Sequence, residues 1–245
     1  MNTTPPIILR YFACRGRAQP LRDFLYDADI KFQDEQFEFE TFPHPWLEAR
    51  SNRDFSGPFA SLPVFQQGDF QISETLAIAS YLEHTIGQKN IHRDECKLAT
   101  LNMISSACYL EIIVSIGELI WSEGLSPQLR LEDAISEKLP KILDKLRSVD
   151  RLVPNDDKYF GGNIPSVADF FVFEAFDAIR YFLGPNNAPL TQRLRELDGL
   201  SRRLLSRPRF AAMFTAGFRP ASMTSYPEEN AVIEKARAIE WTTVL

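Results

Sequence analysis

The chain has little cysteine and no long apolar run, and each absence argues against a class of protein. Its 245 residues include three cysteines, Cys14, Cys96 and Cys108, an odd number without C-x-x-C or other metal-ligand spacing. The sequence therefore predicts neither a disulfide framework nor a zinc site, and reduced thiols in the cytoplasm are the simpler interpretation. No stretch approaches the roughly 20 apolar residues needed to cross a bilayer, and residues 1–6 do not resemble a secretory signal. We expect a cytoplasmic protein without a membrane partner.

An excess of basic residues is also missing. The net charge is -6 and the isoelectric point is near 5.2, which argues against nucleic acid as a partner. Local cations such as Arg10, Arg15 and Arg17 could still bind a small anion. The chain has no internal repeat or low-complexity tract, and 44% hydrophobic residues are ample for a core of one large or two small domains.

The first part of the chain alternates short strands and helices. A strand over 7–11, a helix over 18–26 and a strand over 31–37 give the order β-α-β. Residues 39–60 are predicted to form a loop or a loose helix. A hairpin and a helix follow over 61–85, and the resulting β-α-β then β-β-α order is that of a thioredoxin-like α/β domain.

The character of the sequence changes after residue 91. Long helical patterns cover residues 96–121, 131–153, 167–181 and 190–206, and no comparable strand pattern interrupts them. Pro165 to Asp169 contains a capping box, in which Ser166 caps a helix and Asp169 reaches back. We predict a domain over 1–87, a linker over 88–93 and an all-α helical domain over 94–245.

The most informative segment runs from Ser61 to Thr75. Leu62-Pro63 places a proline where a strand enters the sheet, and a cis bond there would leave neighbouring backbone groups facing outward. Residues 67–69 reverse the chain, and Ser73 is the expected N-cap of the next helix. That helix start attracts anions, so the segment could hold a small anionic peptide by its backbone.

Four motifs resemble those of the cytosolic glutathione transferases of the tyrosine type, which comprise the alpha, mu, pi and sigma classes. They are the first-strand segment 10–18, the cis-proline loop 61–64, the pair Glu74-Thr75 and the capping box 166–169, and the resemblance spans about residues 7–214. It implies the glutathione transferase fold: an α/β thioredoxin-like N-terminal domain followed by an all-α helical C-terminal domain. It also implies glutathione as a substrate and a homodimeric assembly.

The resemblance assigns the catalytic role to Tyr11, whose hydroxyl would donate a hydrogen bond to the glutathione thiolate. Arg17 would help to hold the thiolate or a glutathione carboxylate, with Arg15 the less certain of the two. Two cations at the start of a helix suggest a nearby anion, because the helix dipole disfavours cations there. Alternatively, Tyr11 is a core aromatic and both arginines are solvated.

The glutathione backbone would be bound by Leu62, Pro63 and Val64, with the amide and carbonyl of Val64 pairing with the cysteinyl unit. Glu74 would accept from the γ-glutamyl ammonium, and Thr75 would bind the adjacent carboxylate. The alternative is that Glu74 and Thr75 merely begin a helix well.

Three positions depart from the family pattern or leave it open. Ser61 replaces a common glutamine, and Leu110 stands near the position of a partner-subunit carboxylate, with Glu111 adjacent. The candidates for binding the glycyl carboxylate are Trp46, Arg50 and Arg53.

Two further features bear on the assembly and on the second substrate. Phe59 either inserts into a partner subunit or folds back on its own loop. The walls of the second-substrate pocket would come from the loop after Tyr11, the helix 96–121 with Tyr109 and Trp121, and the tail 218–245.

The leading interpretation is a glutathione S-transferase that conjugates glutathione to an apolar electrophile, with peroxidase or isomerase activity as further options. One alternative makes Cys14 the nucleophile of a thiol transferase. The other is a glutathione-binding protein of the same fold with little turnover.

Overall fold

A computed structural model describes residues 5–38, 45–87, 94–125, 130–156 and 158–238 of the chain. The expected linker, residues 88–93, and the last seven residues of the tail lie outside the described residues. The N-terminal part contains the following elements: β1 (Ile7–Phe12), α1 (Gln19–Asp27), β2 (Phe32–Phe37), α2 (Pro45–Ala49), α3 (Arg53–Ser56), β3 (Val64–Gln67), β4 (Phe70–Ser73) and α4 (Thr75–Thr85).

The strands form one mixed sheet in the order β2-β1-β3-β4. β1 runs parallel to β2 and antiparallel to β3, and β3 pairs antiparallel with β4. Leu9 in β1 and Phe65 in β3 are fully buried, as are Leu21 and Leu25 on the facing side of α1. The strands and helices follow the predicted thioredoxin-like order. The pairing of Arg10 with Val64 places the end of β1 beside the start of β3.

In its described residues, the C-terminal part consists of helices and the loops between them, apart from one isolated bridge between Tyr159 and Gly162. Its elements are α5 (Glu95–Ser106), a π-helical segment (Ala107–Ile113), α6 (Val114–Leu125), α7 (Leu131–Asp150), α8 (Val167–Leu183), a 3-10 turn (Gly184–Asn187), α9 (Ala188–Arg193), α10 (Arg195–Leu205), α11 (Pro208–Thr215) and α12 (Glu229–Arg237). The single helix expected over 190–206 is two helices, because Leu194 leaves the helical conformation with a ψ of 65°.

The continuous helical run Glu95–Ser122 contradicts the expectation that no segment is long and apolar enough to cross a bilayer. By length and composition it qualifies, and half of its most apolar window is buried inside the protein. Ile112, Ile116 and Leu119 on this run belong to the hydrophobic core shared with α7 and α8. Core helices of soluble proteins often have the same length and hydropathy, so these two properties alone are weak evidence for a membrane span.

The predicted capping box at the start of α8 is confirmed. Asp169 accepts hydrogen bonds from the backbone N–H and the hydroxyl of Ser166, and also from the N–H groups of Phe160 and Gly161. Glu83 of α4 accepts from the N–H of Val167 at 2.7 Å. Carboxylates from two parts of the chain thus satisfy the orphan donors at the N-terminus of α8.

The expected N-cap at Ser73 is wrong. Ser73 is the last residue of β4, where it pairs with Val64, and α4 begins at Thr75 with Glu74 as its N-cap residue. Glu74 has a φ of 72°, which only a few per cent of non-glycine residues adopt. Because Ser73 stays paired in β4, the chain turns into α4 at Glu74 alone, in a strained backbone conformation.

The four hydrogen bonds of Asp169 predict a large loss of stability when the carboxylate is removed. We expect Asp169→Asn to lower the free energy of unfolding by about 2–4 kcal/mol, since an amide cannot accept from all four buried donors. The midpoint of urea denaturation measures this change. Asp133→Asn, in the exposed first turn of α7, is the matched control and should shift stability by less than about 0.5 kcal/mol. Equal effects of the two variants would contradict the structural role of Asp169.

Candidate active site

Tyr11 lies near the end of β1 with its hydroxyl pointing back toward the start of α1. The side chain is 7% exposed, and its hydroxyl oxygen accepts a hydrogen bond from the N–H of Arg17 at 3.0 Å. Burial raises the pKa of Tyr11, with a smaller contribution from Cys14, so the phenol stays protonated at neutral pH. Because the oxygen is the acceptor in this bond, the O–H hydrogen remains available to donate to a ligand.

Gly16 is required by the close approach of the loop to Tyr11. It has a φ of 42°, and a Cβ at this position would lie 2.6 Å from the Tyr11 hydroxyl oxygen. Any side chain here would collide with the phenol and would also strain the backbone. Gly16 thus lets the loop fold directly over Tyr11 and aim the next N–H at its hydroxyl.

The loop is fixed from its other side by the C-terminal segment of the chain. The N–H of Arg15 donates to the carbonyl of Ser222 at 2.9 Å, and the N–H of Gly16 donates to the carbonyl of Met223 at 2.8 Å. The tail therefore pairs with the loop that carries the hydrogen-bond donor to Tyr11.

The arginines of this region have different environments. Arg10 is ion-paired with Glu35 at 2.5 Å. Arg15 is 2% exposed and binds Glu174 and Asp177, each at 2.9 Å. The anion inferred near Arg15 is therefore the protein's own pair of carboxylates, and a direct role of Arg15 in holding a ligand is wrong.

Arg17 differs from both of these residues. Its side chain is exposed, makes no ion pair within the described part of the chain and lines a cavity beside Tyr11. The structure therefore leaves one cation of the Arg15-Gly16-Arg17 motif facing the space beside Tyr11.

Cys14 is buried in the same region, 2% exposed, in a cluster with Tyr11, Trp46 and Leu62. Burial raises the pKa of the Cys14 thiol to about 12, although Arg22 acts in the opposite direction. The thiolate, which is the nucleophile in thiol exchange, is therefore a very minor species at neutral pH.

The Leu62-Pro63 peptide bond is cis, as the motif predicts. Val64 is paired with Arg10 of β1 on one side and with Ser73 of β4 on the other. Its backbone is therefore committed to the sheet, and the expectation that it faces outward is wrong. Leu62 precedes the strand, lines the cavity beside Tyr11 and makes no backbone hydrogen bond within the described residues.

Glu74 and Thr75 stand at the start of α4, directly after β4. The exposed Glu74 carboxylate accepts a hydrogen bond from the Ser61 hydroxyl at 3.4 Å, so the serine at the departure from the family pattern is used locally. The Thr75 hydroxyl is buried and has no hydrogen-bond partner within the described residues. An unsatisfied buried hydroxyl is costly and marks a position that a ligand could complete.

The three candidates for the glycyl carboxylate separate by burial. Trp46 is buried and packs against Phe37, with ring centroids 5.4 Å apart. Arg50 and Arg53, in α2's C-terminal flank and at the start of α3, are exposed. Trp46 therefore belongs to the buried cluster around Tyr11, whereas both arginine side chains face solvent.

The cavity beside Tyr11 has a volume of about 450 Å³ and lies between the two halves of the chain. Apolar side chains from the end of β1, the cis-proline loop, the π-helical segment, α6 and the tail form much of its wall: Phe12, Leu62, Ile113, Val114, Trp121 and Met223. The loop, the long helix and the tail all contribute, as predicted. Tyr109, the other aromatic suggested for the wall, is instead buried against Phe171.

The position expected for a partner-subunit carboxylate is apolar on this chain. Leu110 is 54% exposed, and the neighbouring Glu111 forms an ion pair with Lys145 of its own chain at 2.8 Å. Glu111 is therefore already engaged locally. Phe59 is 67% exposed, so it does not fold back into its own loop.

Sequence reasoning missed the residues that organise the tail. The Glu229 carboxylate is buried and accepts from the nearby N–H groups of Met223 and Thr224 and from the distant Tyr181 hydroxyl. The Arg219 side chain is 7% exposed and forms an ion pair with the distant Glu174. Locally, Glu229 is only an acidic residue in the first turn of a helix, and Arg219 is an arginine before a proline. The local pattern carries no signal for the contacts with Tyr181 and Glu174, because these partners lie elsewhere in the chain.

Two family models match the chain. One, described as "Glutathione S-transferase, N-terminal domain", matches residues 8–84, and the other, "Glutathione S-transferase, C-terminal domain", matches residues 116–216. The chain is 26% identical over 166 residues to "Glutathione S-transferase P 1" of Xenopus laevis, covering 68% of this chain and 73% of the relative. It is also 26% identical to "Hematopoietic prostaglandin D synthase" of Gallus gallus, covering 85% and 94%.

A solved structure shares the fold. Monomeric Na-GST-3, a glutathione S-transferase from Necator americanus, superposes with a TM-score of 0.69 at 18% sequence identity, covering 86% of this chain and 97% of that one. The resemblance drawn from the four motifs is confirmed. With both domains matched in order along this fold, the chain belongs to the glutathione S-transferase family.

Proposed function

We propose that Tyr11 activates the thiol of glutathione in this chain and that the cavity beside it accepts an apolar electrophile. The chain is a glutathione transferase, and glutathione is its substrate. The observation that carries the proposal is the buried, protonated Tyr11 hydroxyl, whose oxygen is held by the Arg17 N–H and whose hydrogen is left to donate.

The chemistry follows from the pKa of the thiol. The thiol of glutathione resembles that of cysteine, with an unperturbed pKa of about 8.5, so the thiolate is a small fraction at neutral pH. Lowering this pKa by about two units requires about 2.7 kcal/mol of differential stabilisation. A hydrogen bond to a charged group supplies about 1.5–3 kcal/mol, so the Tyr11 hydroxyl and the nearby Arg17 cation are sufficient together.

Glutathione would be oriented by groups on both sides of the cis-proline loop. The backbone of Leu62, held by Pro63, is the group we assign to the cysteinyl unit, since Val64 is paired within the sheet. Val64 then acts as the buried support of that loop. The Glu74 carboxylate would accept from the γ-glutamyl ammonium, and the start of α4 at Thr75 would receive its carboxylate.

The glycyl carboxylate would be bound by Arg50 or Arg53, whose guanidinium groups face solvent. Trp46 would contribute through packing beneath them. Because the two arginines flank the short loop between α2 and α3, either one can reach the same region.

The second substrate would be apolar, because Ile113, Val114 and Trp121 line the cavity. Attack of the thiolate on its electrophilic carbon forms the C–S bond. In a substitution the leaving group departs with its bonding electron pair, and in an addition the anion formed on the product takes a proton from solvent. Peroxide reduction and isomerisation use the same thiolate, and a relative named prostaglandin D synthase supports the isomerase option.

The Cys14 thiol-transferase alternative is disfavoured by burial and by the raised pKa of that thiol. The binding-protein alternative predicts retention of glutathione without a lowered thiol pKa. Turnover with a panel of aryl halide, isothiocyanate and hydroperoxide substrates separates it from the transferase.

We further propose a cytoplasmic homodimer that acts in detoxification, with its domains divided at the 88–93 linker. The exposed Phe59, Met103 and Leu110 are apolar surface that a second subunit would cover. A structural relative described as monomeric makes the oligomeric state a necessary measurement.

Tyr11→Phe removes the donor without removing the ring. We expect it to retain affinity for glutathione while raising the pKa of the bound thiol by about one to two units, since the thiolate loses its hydrogen bond. The pKa is measured from thiolate absorbance of the complex as pH is varied.

Cys14→Ser is the matched control for Tyr11→Phe, because it changes a buried neighbour in the same cluster. It should leave the thiol pKa and the conjugation rate close to wild type. An unchanged pKa in Tyr11→Phe would sink the thiolate-stabilising role, and loss of activity in Cys14→Ser would favour thiol transfer instead.

Thr75→Ala tests whether the unpartnered hydroxyl receives the γ-glutamyl carboxylate. We expect glutathione binding to weaken by about 1 kcal/mol, or roughly fivefold in Kd, measured by calorimetry. Thr75→Ser keeps the hydroxyl and is the matched comparison. Equal affinity of the Ala and Ser variants would return Thr75 to simple helix formation.

Phe59→Ser tests the homodimer. We expect it to raise the dimer dissociation constant by about tenfold or more, measured by sedimentation equilibrium, because an exposed aromatic is a common interface anchor. Phe70→Ser is the control, since Phe70 is 44% exposed but stacks on Tyr81 of its own chain. A wild-type chain that sediments as a monomer at all concentrations would overturn the dimer proposal.

A further inference from the structure

Glu229, in the first turn of α12, is 4% exposed and binds four donors. One carboxylate oxygen accepts from the N–H of Met223 at 2.7 Å and from the Tyr181 hydroxyl at 2.8 Å. The other accepts from the N–H and the hydroxyl of Thr224, both at 2.6 Å. A single buried carboxylate thus holds two successive residues of the tail.

Those two residues face the site. Met223 and Thr224 line the cavity beside Tyr11, together with Ser225. Tyr226, the next residue, contacts the ring of Trp121 with centroids 4.7 Å apart, which joins the tail to the opposite helical wall. Glu229 therefore fixes the backbone of the two residues that form one side of the pocket.

The same segment continues into the loop over Tyr11. The carbonyls of Ser222 and Met223 accept from the N–H groups of Arg15 and Gly16, and the next N–H, that of Arg17, donates to the Tyr11 hydroxyl. Glu229 is connected to Tyr11 through one short tail segment and one loop, with a hydrogen bond at each junction.

The tail is also held upstream of this segment. Arg219 is buried and forms ion pairs with Glu174 and Asp177, the two carboxylates that bind Arg15. The loop and the tail therefore share one anchor on α8. Between Arg219 and Glu229 the chain has fixed ends and spans the cavity wall.

We infer that Glu229 is a positioning residue for conjugation: it fixes the Met223-Thr224 backbone as a wall of the electrophile pocket and as the support of the Arg17 N–H that holds Tyr11. The inference rests on the proposed role of Tyr11. Glu229 does not contact the thiol or the electrophile, and it acts through the tail.

The carboxylate is needed in its ionised form, because all four of its partners are donors. A glutamine at this position offers one acceptor oxygen and places an NH2 group against the remaining donors. Glutamine has nearly the volume of glutamate, so Glu229→Gln preserves the packing but loses hydrogen bonds to Met223 or Thr224. The tail should then sample other positions, and the cavity wall and the Tyr11 loop should loosen together.

The test compares Glu229→Gln with Glu228→Gln, an exposed carboxylate one residue earlier. For Glu229→Gln we expect the KM for the electrophile to rise about tenfold and the pKa of bound glutathione to shift upward, with less than about a threefold change in glutathione Kd. Glu228→Gln should match wild type in all three. A purely structural role would lower the amount of folded enzyme without moving the thiol pKa.

The outcomes separate this inference from the proposed function. If wild type itself does not lower the thiol pKa, the role of Tyr11 fails. If wild type lowers it and folded Glu229→Gln keeps the wild-type pKa and KM, the positioning role of Glu229 is overturned. Should Glu229→Gln not fold, Thr224→Val removes one of the four hydrogen bonds, and an unchanged electrophile KM in that variant overturns the inference.

Discussion

The hydrogen bond from the Arg17 N–H to the Tyr11 hydroxyl is the contact on which the geometry of the site depends. It fixes the phenol oxygen as an acceptor and so leaves the hydrogen for a ligand. It exists only because Gly16 has no side chain to separate the loop from the ring. The sheet supplies the position of Tyr11, and the loop supplies its orientation. A motif of a few residues therefore combines a strand end, a tight turn and a polarised hydroxyl.

Buried ion pairs anchor one residue of this loop, Arg15. Glu174 and Asp177 of α8 bind both Arg15 and Arg219, so the first loop and the tail are tied to one helix. Buried ion pairs contribute little net stability, because desolvation offsets their attraction, but breaking one leaves an uncompensated charge. Their effect here is to permit one arrangement of loop and tail. Arg17 lies outside this network, and its exposed side chain lines the cavity.

The sequence predicts those parts of the site whose geometry is local. The order of strands and helices in the N-terminal part, the cis bond at Pro63 and the capping box at Ser166 follow from short-range patterns, and each agrees with the structure. The errors arise where strand pairing decides. Ser73 and Val64 pair with each other across the hairpin, so one does not cap α4 and the other does not face outward. The prediction that Arg15 binds a ligand anion fails because of another long-range contact. The carboxylates that bind Arg15 lie some 160 residues away in sequence.

The tail's contribution to the cavity has a consequence for the order in which structure can form. Tyr11 and Leu62 lie in the N-terminal part of the chain, whereas Met223 and Thr224, which line the same cavity, follow α11. Contacts between residues so far apart in sequence carry a large loop-closure cost, which must be met before they stabilise the fold. The sheet can therefore be complete while the cavity is still open on the side of the tail.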